Sequence, residues 1–290
     1  MIQVGRSVAE ALAAGRPVVA LETSIVAQGL PPPHNLRAAF GSEDAIRAAG
    51  AVPATVAVLA GRLKVGLERD ELEALAADET AVKVSARDLG WAVAGGRSGA
   101  TTVAATARAA HLAGIRFFAT GGIGGVHRGN VDDVSADLEE IARAPVAVFC
   151  AGAKMILDLS RTFERLETLG VPVLGYGTDE FPAFYTARSG LRLGARVDDP
   201  DAAAAALRAH WELGGRGALV AVPPPAELPG AEGLVGQAVA EVGAVEGPGL
   251  TPRLLARIAD LSGGRSLEVN VELVVNNART AAACAVAFAA

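Results

Sequence analysis

From residue 17 to residue 222, short apolar runs alternate with longer amphipathic or alanine-rich ones. The runs 17–23, 55–60, 82–85, 116–120, 145–150, 171–176 and 217–222 are predicted as strands. Several are apolar without a break, as in Val146-Ala147-Val148-Phe149. That is the pattern of parallel strands covered on both faces. Helical patterns fall near 34–50, 69–77, 101–114, 135–143, 155–169 and 200–213. The alternation predicts βαβ units and a three-layer α/β/α sandwich around a largely parallel or mixed sheet. From about residue 233 the chain reads as almost wholly helical, ending in the run 266–288 with Asn270, Asn276 and Asn277 embedded. Pro223-Pro224-Pro225 opens a loop. We read the helices after it as a layer that returns to the same sheet, so residues 1–290 are predicted to form a single domain.

Composition narrows the class. Hydrophobic residues make up 51% and charged ones 20%, which is globular rather than disordered. Aromatics are only 4%, so the core must be built from Ala, Val, Leu and Ile. No apolar run reaches the roughly 20 residues that span a bilayer. The first residues lack the basic-then-apolar pattern of a secretory signal. A cytoplasmic protein without a membrane partner is expected. Net charge is −6 with no basic stripe, which argues against nucleic acid. Cys150 and Cys284 sit in apolar surroundings and are expected to be buried free thiols. Of 26 basic residues only Lys64, Lys83 and Lys154 are lysines. A lysine kept in so arginine-rich a chain marks a place for a compact, titratable amine, which arginine cannot supply. Lys64, between Leu63 and Val65, reads as ordinary surface.

In a sheet covered on both faces, ligands collect at the loops after the carboxyl ends of the strands. Five segments place unusual residues there. Glu22 ends an apolar strand, and burial should raise its pKa toward that of a proton donor or acceptor; a capping or salt-bridged Glu is the plain alternative. Lys83 reads as a phosphate contact or a snorkelling surface lysine. Gly99-Ala100-Thr101-Thr102 leads into a helix and offers donors to an anion, or a simple N-cap. The loop Thr120–Gly129 carries four glycines in five positions and ends in His127-Arg128, implying close backbone approach to a ligand or special φ values. It does not match a dinucleotide fingerprint. Soon after, Ser135 is a plausible N-cap, and Asp137 could hold a hard divalent cation or simply an acidic first turn. The fifth segment, Cys150-Ala151-Gly152-Ala153-Lys154, runs a buried strand into a lysine read as opening the next helix. A cation there opposes the helix dipole, and desolvation adds to the effect, favouring a neutral nucleophilic amine.

Taken together, Glu22-Thr23-Ser24, Lys83-Val84-Ser85, Gly99-Ala100-Thr101-Thr102, the Thr120–Gly129 loop, Ser135-Ala136-Asp137-Leu138, Cys150-Ala151-Gly152-Ala153-Lys154, Gly175–Pro182 and Asn276-Asn277-Ala278-Arg279 resemble the pseudouridine-5′-phosphate glycosidase family, also called indigoidine synthase A-like. The resemblance runs in order from about residue 8 to 288. It implies reversible cleavage of the C–C glycosidic bond of pseudouridine 5′-phosphate to uracil and ribose 5-phosphate. By it, Lys154 forms an imine-type adduct at C1′ of the opened ribose and Glu22 moves the proton. Asp137 binds a divalent metal, Mn²⁺ by family habit, mostly through water. Lys83, Thr102 and Ser135 surround the phosphate, with Thr101 beside them; His127 lies near the sugar. An asparagine of the last helix serves the site, Asn277 in the first instance and Asn270 otherwise. A homotrimer is implied as well. The chain departs from the family at Pro32-Pro33-His34, at Val222 and at Arg253. A Schiff-base aldolase acting on another sugar phosphate and a non-catalytic sugar-phosphate sensor are the competing readings.

Overall fold

The computed structural model describes residues 2–242 and 250–290. In chain order, β1 (Ile2–Val4) and α1 (Arg6–Ala13) precede β2 (Val18–Leu21), and a π-helical turn Ile25–Gly29 leads to α2 (His34–Ala48). The hairpin β3 (Val52–Leu59) and β4 (Arg62–Val65) is followed by α3 (Arg69–Ala77), β5 (Val82–Val84), α4 (Leu89–Ala94) and β6 (Gly99–Thr101). Next come α5 (Val103–Ala113), β7 (Phe117–Ala119), β8 (Val126–His127), α6 (Ala136–Arg143), β9 (Ala147–Cys150) and β10 (Leu157–Asp158). The chain continues through α7 (Leu159–Thr168), β11 (Val173–Tyr176), β12 (Ala195–Val197), α8 (Pro200–Glu212) and β13 (Ala218–Ala221). It closes with α9 (Ala231–Val242), α10 (Leu250–Leu261) and α11 (Arg265–Ala289).

The central sheet runs β1-β4-β3-β2-β7-β9-β13-β11-β12, with β6 branching from β3 and β5 pairing β6. Only the β3–β4 and β3–β6 pairs are antiparallel; the other ladders of this sheet are parallel. Its strands bury both faces. Along β2, Val18 and Ala20 join the core containing Val8, Ala105 and Ile141, while Val19 and Leu21 join the one containing Ile46, Leu207 and Ala281. The period-2 alternation of a strand therefore feeds two cores. Helices α1, α5, α6 and α7 cover the first face, and α2, α8 and α11 the second. This is the expected α/β/α sandwich with a mixed, largely parallel sheet and a helical C-terminal layer. Among the described residues no helix is long and apolar enough to cross a membrane.

All seven predicted strands and all the predicted helices are present, with two corrections that matter for chemistry. Thr101 belongs to strand β6, not to a helix, and α5 begins at Val103. Helix α7 begins at Leu159, not near 155, because Leu157-Asp158 pairs with Val126-His127 in a separate two-stranded ladder. Lys64 also differs from expectation. It lies in β4 with its side chain 13% exposed and its ammonium on Glu71, so its role is a structural ion pair.

The small aromatic content makes each buried ring count. Phe149 is fully buried in β9, 6.1 Å between centroids from Phe117. Phe149→Ala is expected to destabilise the protein by about 3–5 kcal/mol. Urea unfolding should show a lower midpoint at an unchanged slope.

Candidate active site

Strands β2, β7 and β9 are neighbours and parallel, so the loops at their carboxyl ends meet. These loops carry Glu22, Thr120 to Gly125, and Ala151 to Lys154. Main-chain hydrogen bonds lace the last two together. Ala151 N donates to Gly121 O (2.9 Å), Ile123 N to Gly152 O (3.1 Å) and Lys154 N to Ile123 O (3.1 Å). Gly152 makes the turn possible: its φ is +80°, and a Cβ there would run into the carbonyl of Pro182. Lys154 is thus delivered to its place by a hydrogen-bonded backbone, five residues before the first residue of α7, and the helix-dipole argument does not apply to it.

The resulting cleft, open to solvent, is lined by Glu22, Lys83, Thr120, Gly121, Lys154 and Asn270 among others. Ser24, Gln28, Phe184, Thr251 and Pro252 complete much of the wall. Glu22 receives hydrogen bonds from the hydroxyls of Ser24 and Thr120. Burial pushes its carboxyl above the ordinary 4.5, against the charge of Lys154 and the two hydroxyl donors. Glu22 is therefore a carboxyl held in a fixed orientation. Lys83 sits exposed at the cleft edge, yet the surrounding protein pushes its pKa down, and the Lys154 charge acts in the same direction; Asp137 and Glu22 oppose this. Two amines and a carboxyl thus share one electrostatic environment.

Asp137 is buried at the start of α6. Its Oδ1 accepts from Ala104 N at the start of α5 (2.9 Å), and its Oδ2 accepts from Gly124 N (2.8 Å). The carboxylate ties a helix N-terminus to the glycine loop, where its charge is favourable. Each oxygen keeps one lone pair. Among the described residues no group of three His, Cys, Asp or Glu side chains could hold a metal ion. The donor set fits a largely hydrated divalent cation and not one ligated mainly by protein.

Other sequence-derived candidates are placed differently. Thr101 is fully buried, and its hydroxyl donates to Val56 O (2.7 Å), so it serves the sheet rather than a ligand. Thr102 caps α5, and Ser135 caps α6 with its Oγ accepting from Asp137 N (3.2 Å). His127 is half-buried on β8 and does not line the cleft. Asn277 is fully buried behind the glycine loop, its Nδ2 donating to Thr120 O (2.8 Å) and Gly121 O (3.2 Å). It shapes the loop, whereas Asn270 reaches the cleft. None of the loop glycines 121, 122, 124 and 125 has positive φ. They are small because the protein's own side chains press on them: Phe184 at Gly122, Asp137 and Ser135 at Gly124, Thr162 at Gly125.

Sequence reasoning passed over Ser24, Thr120 as a hydroxyl donor, Gln28 and Phe184. Ser24 stands two residues from the acid, a spacing that offered a signal. Phe184 offered only its scarcity value; its φ is +65°, and its amide donates to Ala151 O (2.8 Å). Both cysteines are buried, and burial pushes each thiol up to about 12. They are inert at neutral pH.

Charged groups gathered on loops at the carboxyl ends of parallel strands are the layout of an α/β enzyme. The chain belongs to the indigoidine synthase A like protein family, whose model matches residues 7–287. It is 53% identical over 287 residues to the pseudouridine-5′-phosphate glycosidase of Herpetosiphon aurantiacus, covering 96% of this chain and 95% of that one. It is 51% identical to the enzyme of the same name from Paracoccus denitrificans, over 100% and 99% of the two chains. Among solved structures it is similar to the prealnumycin C-glycosynthase AlnA in complex with ribulose 5-phosphate. That likeness has a TM-score of 0.90 and 40% identity over 100% of this chain and 97% of the other. An indigoidine synthase A-like protein of Thermotoga maritima gives 0.91 and 33%, with the same coverage.

The burial of Glu22 has a testable consequence. Its pKa is 4.5 in an unfolded chain and higher in the folded one, so protonation favours folding. That contribution is complete below 4.5 and is lost as pH rises through the folded-state value. Glu22→Gln cannot ionise. The stability of the native protein relative to this variant is expected to fall as pH rises through that window, and thermal unfolding of both across pH measures it. Parallel pH profiles would contradict a buried, perturbed carboxyl.

Proposed function

We propose that the protein reversibly cleaves the C–C glycosidic bond of pseudouridine 5′-phosphate, giving uracil and ribose 5-phosphate through a covalent Lys154–C1′ adduct. The observation that carries this reading is the meeting of Lys154 with the half-buried, hydroxyl-clamped Glu22 in one cleft. The names of the full-length relatives and the sugar phosphate bound to AlnA support it.

A C-glycoside offers no leaving oxygen to protonate, so the paired-carboxylate route of ordinary glycosidases fails at the base. Opening the ribose solves this. The C1′–O4′ bond breaks as the uracil ring supplies electrons and protonated Glu22 gives its proton to O4′. The Lys154 amine adds to C1′ through its nitrogen lone pair and loses a proton, which restores the carboxyl. The restored Glu22 carboxyl protonates C5, and the C1′–C5 bond then breaks with its electron pair returning to the uracil ring. The nitrogen lone pair closes a C1′=N imine, which water hydrolyses to ribose 5-phosphate and free Lys154. The sum is substrate plus water giving two products.

Lys83 is the cation we assign to the phosphate, assisted by the capped starts of α5 at Thr102 and α6 at Ser135. Asp137 is the residue we assign to a hydrated divalent ion, Mn²⁺ by the family resemblance. When bound, such an ion supplies positive charge beside the phosphate end of the cleft. No step is assigned to His127. The homotrimer implied by the resemblance belongs to the same proposal.

Lys154→Arg is expected to lose turnover by roughly 10⁴-fold or more while still folding. Borohydride with ribose 5-phosphate should add mass to the peptide containing Lys154 in the native protein only. Full activity of the arginine variant would end the covalent role. Exhaustive chelation should lower activity, with Mn²⁺ restoring it; a chelated protein of unchanged activity would remove the metal from the scheme.

A further inference from the structure

The loop Thr120–Gly129 holds the chain around Lys154 at two points. On the N-terminal side, Ile123 O accepts from Lys154 N (3.1 Å). On the C-terminal side the chain turns at once. Leu157 N donates to Lys154 O (3.0 Å), closing a turn through Met155 and Ile156. Leu157-Asp158 then pairs with Val126-His127 as β10 with β8. The next residue of the loop is Arg128, and its side chain reaches back over the same turn. Its Nε donates to Leu157 O (3.1 Å), and one of its Nη atoms donates to Met155 O (2.9 Å).

Arg128 is exposed, so burial does not compel this arrangement. An exposed arginine ordinarily keeps its head in water or loosely meets an acid, since fixing so long a side chain costs rotamer entropy. Here two donors of one guanidinium are committed to two carbonyls of one turn. Charge-assisted bonds from a planar fork set direction as well as distance. An ammonium, a point charge on a flexible stem, does not reproduce them. The side chains of Met155, Ile156 and Leu157 are buried. The turn is thus anchored inward by its side chains and outward by Arg128. Lys154 is its first residue, and its half-buried side chain lines the reaction cleft. Any rotation of its backbone is magnified at the end of the four-carbon stem.

We propose that Arg128 is a positioning residue for Lys154: its guanidinium holds the turn that sets the lysine's backbone, and so aims the amine at the sugar carbon. The inference rests on the Lys154 adduct proposed above. Arg128 lines a separate surface groove with Met155 and Leu159 and does not line the reaction cleft. It acts through the turn, so its removal slows the covalent step and leaves substrate binding alone.

The test compares the native protein with Arg128→Lys, which keeps the charge and the stem, and Arg128→Ala, which keeps neither. Two rates are read per folded molecule: uracil release from pseudouridine 5′-phosphate, and borohydride trapping of ribose 5-phosphate on Lys154. In the trap the amine condenses with the C1 aldehyde, water leaves, and hydride reduces the imine. Both variants should lose about ten- to hundred-fold in kcat and in the trapping rate at saturating sugar phosphate, the scale of loss from a misaimed group. KM and the half-saturating concentration of ribose 5-phosphate should stay within about two-fold, because the groups that hold the substrate are unmoved. Methylguanidinium, too dilute to denature, should restore part of the rate to Arg128→Ala and none to Arg128→Lys. Native rates in Arg128→Lys, a loss confined to KM, or a slow Arg128→Ala that methylguanidinium does not rescue would each overturn the positioning role and leave the reaction standing. A native protein that forms no trapped adduct overturns the Lys154 chemistry, and the role of Arg128 with it.

Discussion

The site depends on a short backbone ladder between two loops. Residues 121–123 and 151–154 exchange main-chain hydrogen bonds beyond the ends of β7 and β9, extending the parallel sheet as irregular chain. A lysine side chain has four rotatable carbons and little intrinsic direction. What gives Lys154 a direction is that its own amide is bonded to Ile123 O and its carbonyl to Leu157 N (3.0 Å). The glycines follow from the same constraint. Loops packed this closely against Phe184, Ser135 and Thr162 have no room for a Cβ.

Around that ladder the charged groups are held by hydrogen bonds from their neighbours. Thr120 and Ser24 clamp Glu22, and Asp137 fastens the start of α5 to Gly124. Such preorganisation fixes the direction in which the Glu22 carboxyl faces the cleft. The scaffold is alanine-rich, and its helices pack close to the sheet through small side chains. Polar groups could then be placed at the strand ends without bulky aromatic supports. Phe184 is the exception, forced into a left-handed backbone conformation to wall the cleft.

Much of this was legible in the residues. The apolar runs marked the seven strands because parallel strands buried on both faces leave an unbroken signal. The edges were not legible. β1, β6 and β12 are three residues each, and β8 and β10 two, too short to show a period. The β3–β4 hairpin was hidden because Ala60 stands at φ +45° beside Gly61, where asparagine or glycine would have announced the turn. In the site, Lys154, Glu22 and Lys83 stood out by residue type and strand position. The start of α7 was misplaced because the two-residue ladder with Val126-His127 is a tertiary contact with no local trace. The division of labour between Asn270 and Asn277 was also beyond the sequence. Both fall on a buried stretch of α11, seven positions and about two turns apart, and only the packing shows which one faces a ligand.

The grip of Asn277 on the carbonyls of Thr120 and Gly121 joins positions 157 and 156 residues apart. The glycine loop therefore receives its support from a helix far along the chain from the strands that carry it. A nascent polypeptide with its sheet already assembled would hold Lys154 and Glu22 near one another yet lack the brace behind them. Completion of the glycine loop therefore waits on the docking of α11, an ordering that follows from the topology.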